Sequence, residues 1–243
     1  MNASLEEITH FKMIDAEKIE GILLLDKPHS KTAFYLVKYL RSLTKVSKIG
    51  HCGTLDPFAT GLMVMLIGSR FTKLSDHFLN SSKAYETTIE LGSITTTFDP
   101  EGEKTLVSDK IPSLEEIESA IECFQGTILQ TPPMFSAKKV NGQKLCDLAR
   151  KGVTVERKAC TVQLKITLLS YEYPHLKLHI ECSKGTYIRS LGHDLGQKLG
   201  TGAYLTELRR VASGKFSLDQ ALSLDDLENN LALLSNHLIK TVE

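Results

Sequence analysis

The chain has 243 residues, 42% hydrophobic and 24% charged, with 29 basic residues balancing 29 acidic ones. That length supports one sizeable core, and no stretch is apolar for long enough to cross a bilayer as a helix. Its five cysteines are odd in number and form no C-x-x-C pair, which excludes a disulfide framework or a zinc ribbon and reads as reduced thiols. No basic start followed by an apolar stretch opens the chain, so a soluble cytoplasmic protein is expected.

Residues 1–20 have weak periodicity and an acidic excess, and read as a loosely attached extension. GILLL at 21–25 is a short apolar strand ending in the turn Asp26-Lys27-Pro28. Thr32 to Leu43 reads as a helix carrying several basic side chains. The stretch GHCGTLDPFATGLMVMLIG follows, at residues 50–68. Asp56 precedes a proline, which pushes it into extended backbone, and Gly53-Thr54 marks a turn. Leu62 to Ile67 are consecutively apolar, the mark of a buried strand. Asp56 thus sits where a turn meets a core element, a place that suits a reactive carboxylate or one that merely closes the turn.

Residues 84–107 look β-rich, with the Asp99-Pro100 turn between strands. Ser113 and Glu116 form a capping box, and Leu114, Ile117, Ile121 and Phe124 recur at helical spacing until Gly126. Thr131-Pro132-Pro133 opens a loop. In LKLHIECS, Leu176, Leu178, Ile180 and Cys182 alternate with Lys177, His179 and Glu181, which predicts a half-buried strand. Ile188, Leu191, Leu195 and Leu199 predict an amphipathic helix closed by Gly200. Leu218 to Leu234 reads as acidic, leucine-rich helix. Strands and helices mix without regular βαβ alternation, which favours α+β over a doubly wound sheet.

Charge is unevenly spread. Lys27 to Leu55 holds six basic residues and no acidic one, and Lys138 to Lys158 holds seven against Asp147 and Glu156. Ten acids lie between Glu86 and Glu122. A neutral chain patterned this way can turn a positive face to a polyanion, although scattered solvated charge accounts for either segment alone. Phosphate-cradling loops of the G-x-x-x-x-G-K-[ST] and G-x-G-x-x-G kinds are missing, and so is G-x-S-x-G. His175 and His179 fall on the exposed face of the alternating strand, which argues against a metal site. In isolation Arg189 reads as a surface arginine, Tyr85 and Tyr187 as packing residues, and His51 as a polar loop residue.

In combination these stretches resemble one family. GHCGTLDPFATG is similar to the active-site motif of the TruB family of tRNA pseudouridine synthases, whose T-L-D-P aspartate is catalytic. GILLLDKP at 21–28, Lys83-Ala84-Tyr85, FQGTILQTPPMFSAKKVNGQKLCDLARKG at 124–152 and CSKGTYIRSLGHDLGQKLGTGAYLTELRR at 182–210 resemble further family segments, in order. The resemblance runs through residues 21–214 and implies a pseudouridine synthase fold. That fold is a central mixed, mostly antiparallel sheet with flanking helices and a cleft between the 50–68 and 182–210 segments.

The resemblance implies Asp56 as nucleophile on uracil C6 or ribose C1′, kept ionised by Arg189, since a neighbouring cation lowers a carboxylate pKa. Tyr85 would stack on the base and handle a proton, and Tyr187 and Leu208 would line the pocket. His51 would fill the gap left by the extruded base, and Lys27 would stand among the substrate-binding residues. The implied substrate is the T arm of tRNA at uridine 55, gripped by segments 27–48 and 138–158 through phosphate contacts. Neither metal nor redox cofactor is implied, and a monomer with no obligate protein partner is expected. Residues 215–243 are too short for the appended RNA-binding (PUA) domain of many members, so a helical tail is expected there, with docking that is weaker or more salt-sensitive. The alternatives are a tRNA-binding or folding module with incidental activity, a subunit of an RNA-guided synthase, or an unrelated hydrolase using Asp56.

Overall fold

A computed structural model describes residues 19–140 and 142–241. The extension expected over 1–20 lies outside the described residues except for Ile19 and Glu20. In chain order the elements open with β1 (Gly21–Lys27), α1 (Ala33–Thr44), β2 (Ile49–Cys52), β3 (Thr60–Ile67), α2 (Ser69–Thr72) and α3 (Ser75–Leu79). They continue with β4 (Lys83–Leu91), β5 (Ser93–Thr95), β6 (Lys104–Leu106), α4 (Leu114–Glu122), β7 (Gly126–Gln130), β8 (Lys139–Val140), β9 (Gln143–Lys144) and α5 (Leu145–Ala149). The chain finishes with β10 (Cys160–Glu172), β11 (His175–Cys182), α6 (Ile188–Leu199), β12 (Ala203–Ser213), β13 (Phe216–Ser217), α7 (Leu224–Asn229) and α8 (Ala232–Asn236).

One large sheet runs in the order β1-β3-β12-β4-β11-β10-β7, with β2 added to β3 and β13 to β12. Its pairings are antiparallel except for β12 with β3, where Arg209 and Arg210 meet Thr60 and Gly61 in parallel. This is the mixed, mostly antiparallel sheet with flanking helices expected of an α+β chain. Side-chain alternation explains the two kinds of strand. On β3, Met63, Met65 and Ile67 join the main core while Leu62, Val64 and Leu66 join a second core on the opposite face. Leu23 and Leu25 of β1 divide from Ile22 and Leu24 in the same way. A strand covered on both faces has no polar positions, so its sequence is an unbroken apolar run. On β11 only Leu176, Leu178, Ile180 and Cys182 enter the core, and the alternating pattern results.

Helices α1, α4 and α6 close the main core with Leu36 and Leu40, Ile117 and Ile121, and Leu191 and Leu195. Their ends follow local chemistry. Thr32 accepts the Tyr35 N–H at α1, Ser113 and Glu116 complete their capping box at α4, and Gly200 ends α6 in the left-handed region. Phe71, Phe78 and Phe216 cover the opposite face. The C-terminal segment is stitched to β1, whose Ile22 exchanges two hydrogen bonds with Ile239 at 2.9 Å. Leu222 bonds Leu24 and Asp26, and Leu224, Leu227 and Leu234 are buried in the main core. The open edge of β1 is therefore covered rather than left free to pair.

The parallel contact places two constraints on Gly61. Its φ is +99°, and a Cβ there would collide with the backbone of Arg210. Gly61→Ala therefore combines left-handed strain with a backbone clash, and should cost more than about 2 kcal/mol. Urea denaturation of the two proteins measures the loss, and equal midpoints would contradict it.

Candidate active site

The cleft opens between the turn before β3, the start of β4, the end of β11, the first turn of α6 and the middle of β12. It is a cavity of about 300 Å³ walled by Asp56, Tyr85, Tyr187, Arg189, Leu208 and Arg210 among others. Asp56 stands on the turn before β3, which is closed by the Ala59 N–H donating to the Asp56 carbonyl. Its carboxylate receives the Arg189 Nε at 2.8 Å, and about a third of the side chain remains exposed, while Arg189 is buried.

Arg189 lies in the first turn of α6, and the entry to that helix is clamped. The Gln130 side chain accepts the Tyr187 N–H at 2.8 Å and donates to the Tyr187 carbonyl at 3.0 Å. The Ser190 hydroxyl donates to the Thr131 carbonyl. Thus fixed, the guanidinium also donates to the Asp99 carboxylate at 3.1 Å, the Thr97 carbonyl at 2.9 Å and the Phe135 carbonyl at 2.6 Å. Asp99 is buried and takes further hydrogen bonds from the Thr97 hydroxyl and the Glu101 N–H. One cation thus serves two carboxylates. Burial pushes the Asp56 carboxyl up from its ordinary value; Arg189 pulls it down, and Asp99 adds to the upward push. The expected lowering by Arg189 is therefore outweighed by desolvation.

Lys27 departs most from expectation. It is fully buried, so its ammonium cannot reach an RNA phosphate from this position. Instead it donates to the carbonyls of Pro28, Lys31 and Pro57 at 3.0, 2.6 and 3.1 Å, tying the end of β1 to the turn that bears Asp56. Burial lowers it to about 8, against the pull of the Asp56 carboxylate. Arg210 is a second buried strut. It donates to the Leu62 carbonyl at 2.7 Å and the Gly53 carbonyl at 3.3 Å, beneath the other side of the same turn. Arg210 also faces Tyr85 across the β12–β4 pairing. Tyr85 is buried, which raises its hydroxyl pKa against the pull of Arg210.

Tyr187 and Leu208 stand in the cavity wall as expected. His51 does not. It is half-buried on β2 opposite Met65, and burial followed by the charge of Arg210 lowers its imidazole. Cys182 borders the cavity, and burial pushes its thiol up to about 11, which keeps it protonated. Sequence reasoning missed Asp99 and Arg210. Asp99-Pro100 carried only a turn signal, and the arginine pair at 209–210 gave no sign of which member is buried. Among the described residues no group of three or more His, Cys, Asp or Glu could hold a metal ion, and no helix is long and apolar enough to cross a membrane.

Arg189→Met keeps bulk at the site but strands two carboxylates, one of them buried. Breaking a buried pair this way costs about 3–5 kcal/mol. Desolvation no longer opposed by Arg189 should hold the Asp56 carboxyl above its unfolded value of about 3.9, so through that window the folded state binds more protons and stability falls as pH rises. The deficit against wild type should therefore be largest at neutral pH and shrink on acidification. Urea melts across that range measure it, and a deficit independent of pH would assign the cost to packing.

Two family profiles together match residues 41–242. Residues 41–188 match the TruB family pseudouridylate synthase N-terminal domain, and residues 189–242 match the tRNA pseudouridylate synthase B C-terminal domain. The tRNA pseudouridine synthase B of Chlamydia abortus is 57% identical over 203 residues, covering 84% of this chain and 86% of that protein. Its counterpart in Protochlamydia amoebophila is 53% identical, covering 88% and 84%. That of Clostridium acetobutylicum is 45% identical, covering 88% and 74%. Among solved structures, a chain of a Cbf5-Nop10-Gar1 complex superposes with a TM-score of 0.70 at 27% identity; 88% of this chain is covered and it spans 55% of that one. The chain belongs to the TruB family of pseudouridylate synthases, a family of isomerases.

Proposed function

We propose that this protein converts uridine to pseudouridine at position 55 in the T loop of tRNA, with Asp56 as the nucleophile. The observation that carries the reading is the Asp56 carboxylate, held at 2.8 Å by a buried Arg189 in the wall of a cavity of about 300 Å³, suited to one extruded base. The tRNA specificity rests on the family and on the relatives named above.

The target uridine leaves its stack and enters the cavity against Tyr85, Tyr187 and Leu208. Asp56 attacks C6 of the uracil or C1′ of the ribose, and the glycosidic N1–C1′ bond breaks. The freed base turns and C5 bonds to C1′, displacing the Asp56 carboxylate if it is held there; a carboxylate on C6 is instead expelled by elimination. C5 loses its proton and N1 gains one, so the product is an isomer and the free carboxylate is restored. Burial makes the Asp56 carboxylate more basic while Arg189 compensates its charge, a combination suited to a nucleophile. The apolar wall shields the detached base from water. A residue that fills the vacated stack must stand outside the base pocket, and His51 does. Lys27 acts through Pro57, as a positioning residue rather than a phosphate contact.

Both basic segments are anchored to this site. Segment 27–48 reaches it through the Ser30 N–H and the Lys27 ammonium on the Pro57 carbonyl, and segment 138–158 follows the Phe135 carbonyl held by Arg189. Lys38, Arg41, Lys45 and Lys48, and Lys139, Lys144, Arg150 and Lys151, are exposed on them. Such residues give sequence-independent affinity for the RNA backbone. The enzyme is proposed to act on bare tRNA as a monomer, without a guide RNA or protein partner.

Tritium release from a tRNA transcript labelled at uridine C5 tests the reaction. Wild type should release about one equivalent per tRNA, and Asp56→Asn should be slower by at least about 10⁴-fold, as when a nucleophile is deleted. Its tRNA affinity should stay within about threefold, a smaller change than losing one neutral hydrogen bond would bring. A parallel collapse of binding would make Asp56 chiefly structural, and release only with added guide RNA would favour an RNA-guided synthase. Because the attacking carboxylate must be ionised, kcat/KM should fall on acidification, with its midpoint above the range of a free aspartate. A midpoint below that range would contradict the raised value.

A further inference from the structure

The buried face of α1 consists of Ala33, Leu36, Val37, Leu40 and Thr44. Phe34 and Tyr35 belong to the opposite face, where Phe34 is 54% and Tyr35 36% exposed. Each ring carries a cation from its own surface: Lys31 Nζ lies 4.6 Å from the Tyr35 centroid and Lys38 Nζ 5.1 Å from that of Phe34. Tyr39 continues the Tyr35 column one turn further, with centroids 6.4 Å apart and planes 15° from parallel. These side chains form two i, i+4 columns, Lys31-Tyr35-Tyr39 and Phe34-Lys38. Tyr39 packs against the core with Glu228 and Asp225 of α7 nearby, but the core does not use Phe34, Tyr35, Lys31 or Lys38, and segment 27–55 itself holds no acidic residue.

Their position relative to the site is fixed by three hydrogen bonds. Lys27 donates to the Lys31 carbonyl at 2.6 Å and to the Pro57 carbonyl at 3.1 Å, and the Ser30 N–H donates to Pro57 at 2.9 Å. The first turn of α1 therefore flanks the turn that bears Asp56. We propose that Phe34 and Tyr35, with Lys31 and Lys38, form a stacking platform for unpaired nucleotides flanking the target uridine. Exposed rings beside cations suit this occupant. Every base has a face that stacks on an aromatic ring, and the ammonium groups pair with the phosphates that link those bases. The aromatic columns confer binding without sequence readout and act on substrate positioning, not on the reacting bond. The inference rests on the reading of the substrate as RNA, and its test separates the two.

The dissociation constant for a tRNA transcript, read by anisotropy after conversion is complete, is compared across variants at several salt concentrations. Phe34→Leu/Tyr35→Leu keeps apolar bulk but removes the stacking faces, and should raise Kd by about tenfold or more. Its salt slope should match that of wild type. Lys31→Gln/Lys38→Gln should weaken binding and reduce the magnitude of the slope by about 1.4–1.8, the value for two released phosphate contacts. Leu169→Ala, at an exposed apolar residue of β10, should bind as wild type does. Melting curves check that the substitutions leave folding intact, and the lysine pair supplies an independent arm. Wild-type binding with both double variants within twofold of it overturns the platform and leaves the proposed function standing. Failure of wild type itself to bind or convert tRNA overturns both. Undiminished tRNA binding with lost adhesion to anionic vesicles would reassign the face to a membrane surface.

Discussion

The guanidinium of Arg189 joins four parts of the chain that are far apart in sequence: the Asp56 turn, the loop between β5 and β6, the loop after β7 and α6 itself. A planar fork of five donors can hold two carboxylates and two carbonyls at once, which an ammonium cannot. The cost of burying this charge is met by two carboxylates, and Asp99 is the one withheld from solvent. That division gives the two acids different work. Asp99 is buried against the cation, while Asp56 remains partly exposed and faces the cavity.

Two further buried cations repeat this design on the other sides of the same turn. Lys27 holds the Pro57 carbonyl from the end of β1, and Arg210 holds the Gly53 carbonyl from β12. A loop carrying a reactive group would ordinarily be among the more mobile parts of a protein. Here its carbonyls are fixed from both ends by donors rooted in the sheet, and its carboxylate is fixed from above by α6. Fixing a carboxylate before a substrate arrives removes an orientational cost from a reaction in which it attacks. Isolated charges would not survive such burial; each persists because backbone carbonyls, and for Arg189 two carboxylates, accept its hydrogen bonds.

Much of the fold was legible because local patterns decide it. The unbroken run at 62–67 and the alternation at 176–182 report directly how many faces of each strand are covered. The capping box at Ser113 and the glycine at 200 end their helices through contacts within a few residues. Asp56, Tyr85, Tyr187, Arg189 and Leu208 were legible through resemblance, and the fold brings all five to one cavity. What escaped depends on distance. Asp99 matters only because the loop after β5 folds against α6, and Arg210 only because β12 lies parallel to β3. Lys27 was misread for the same reason: a basic residue in a basic segment reads as surface, and nothing local reveals three carbonyls converging on it.

Lys27 also shows how the edge of the sheet is coupled to the chemistry. The strand that ends in this lysine would be an open edge were it not stitched to the C-terminal segment through Leu222 and Ile239. Those bonds fix the strand along its length, and α7 and α8 add Leu224, Leu227 and Leu234 to the core beside it. A slip of β1 against β3 by one residue would exchange its two buried faces and withdraw the ammonium from the Pro57 carbonyl. The register of the outermost strand thus reaches the carboxylate through one side chain and one turn. The C-terminal segment, remote from the cavity, serves the site by holding that register.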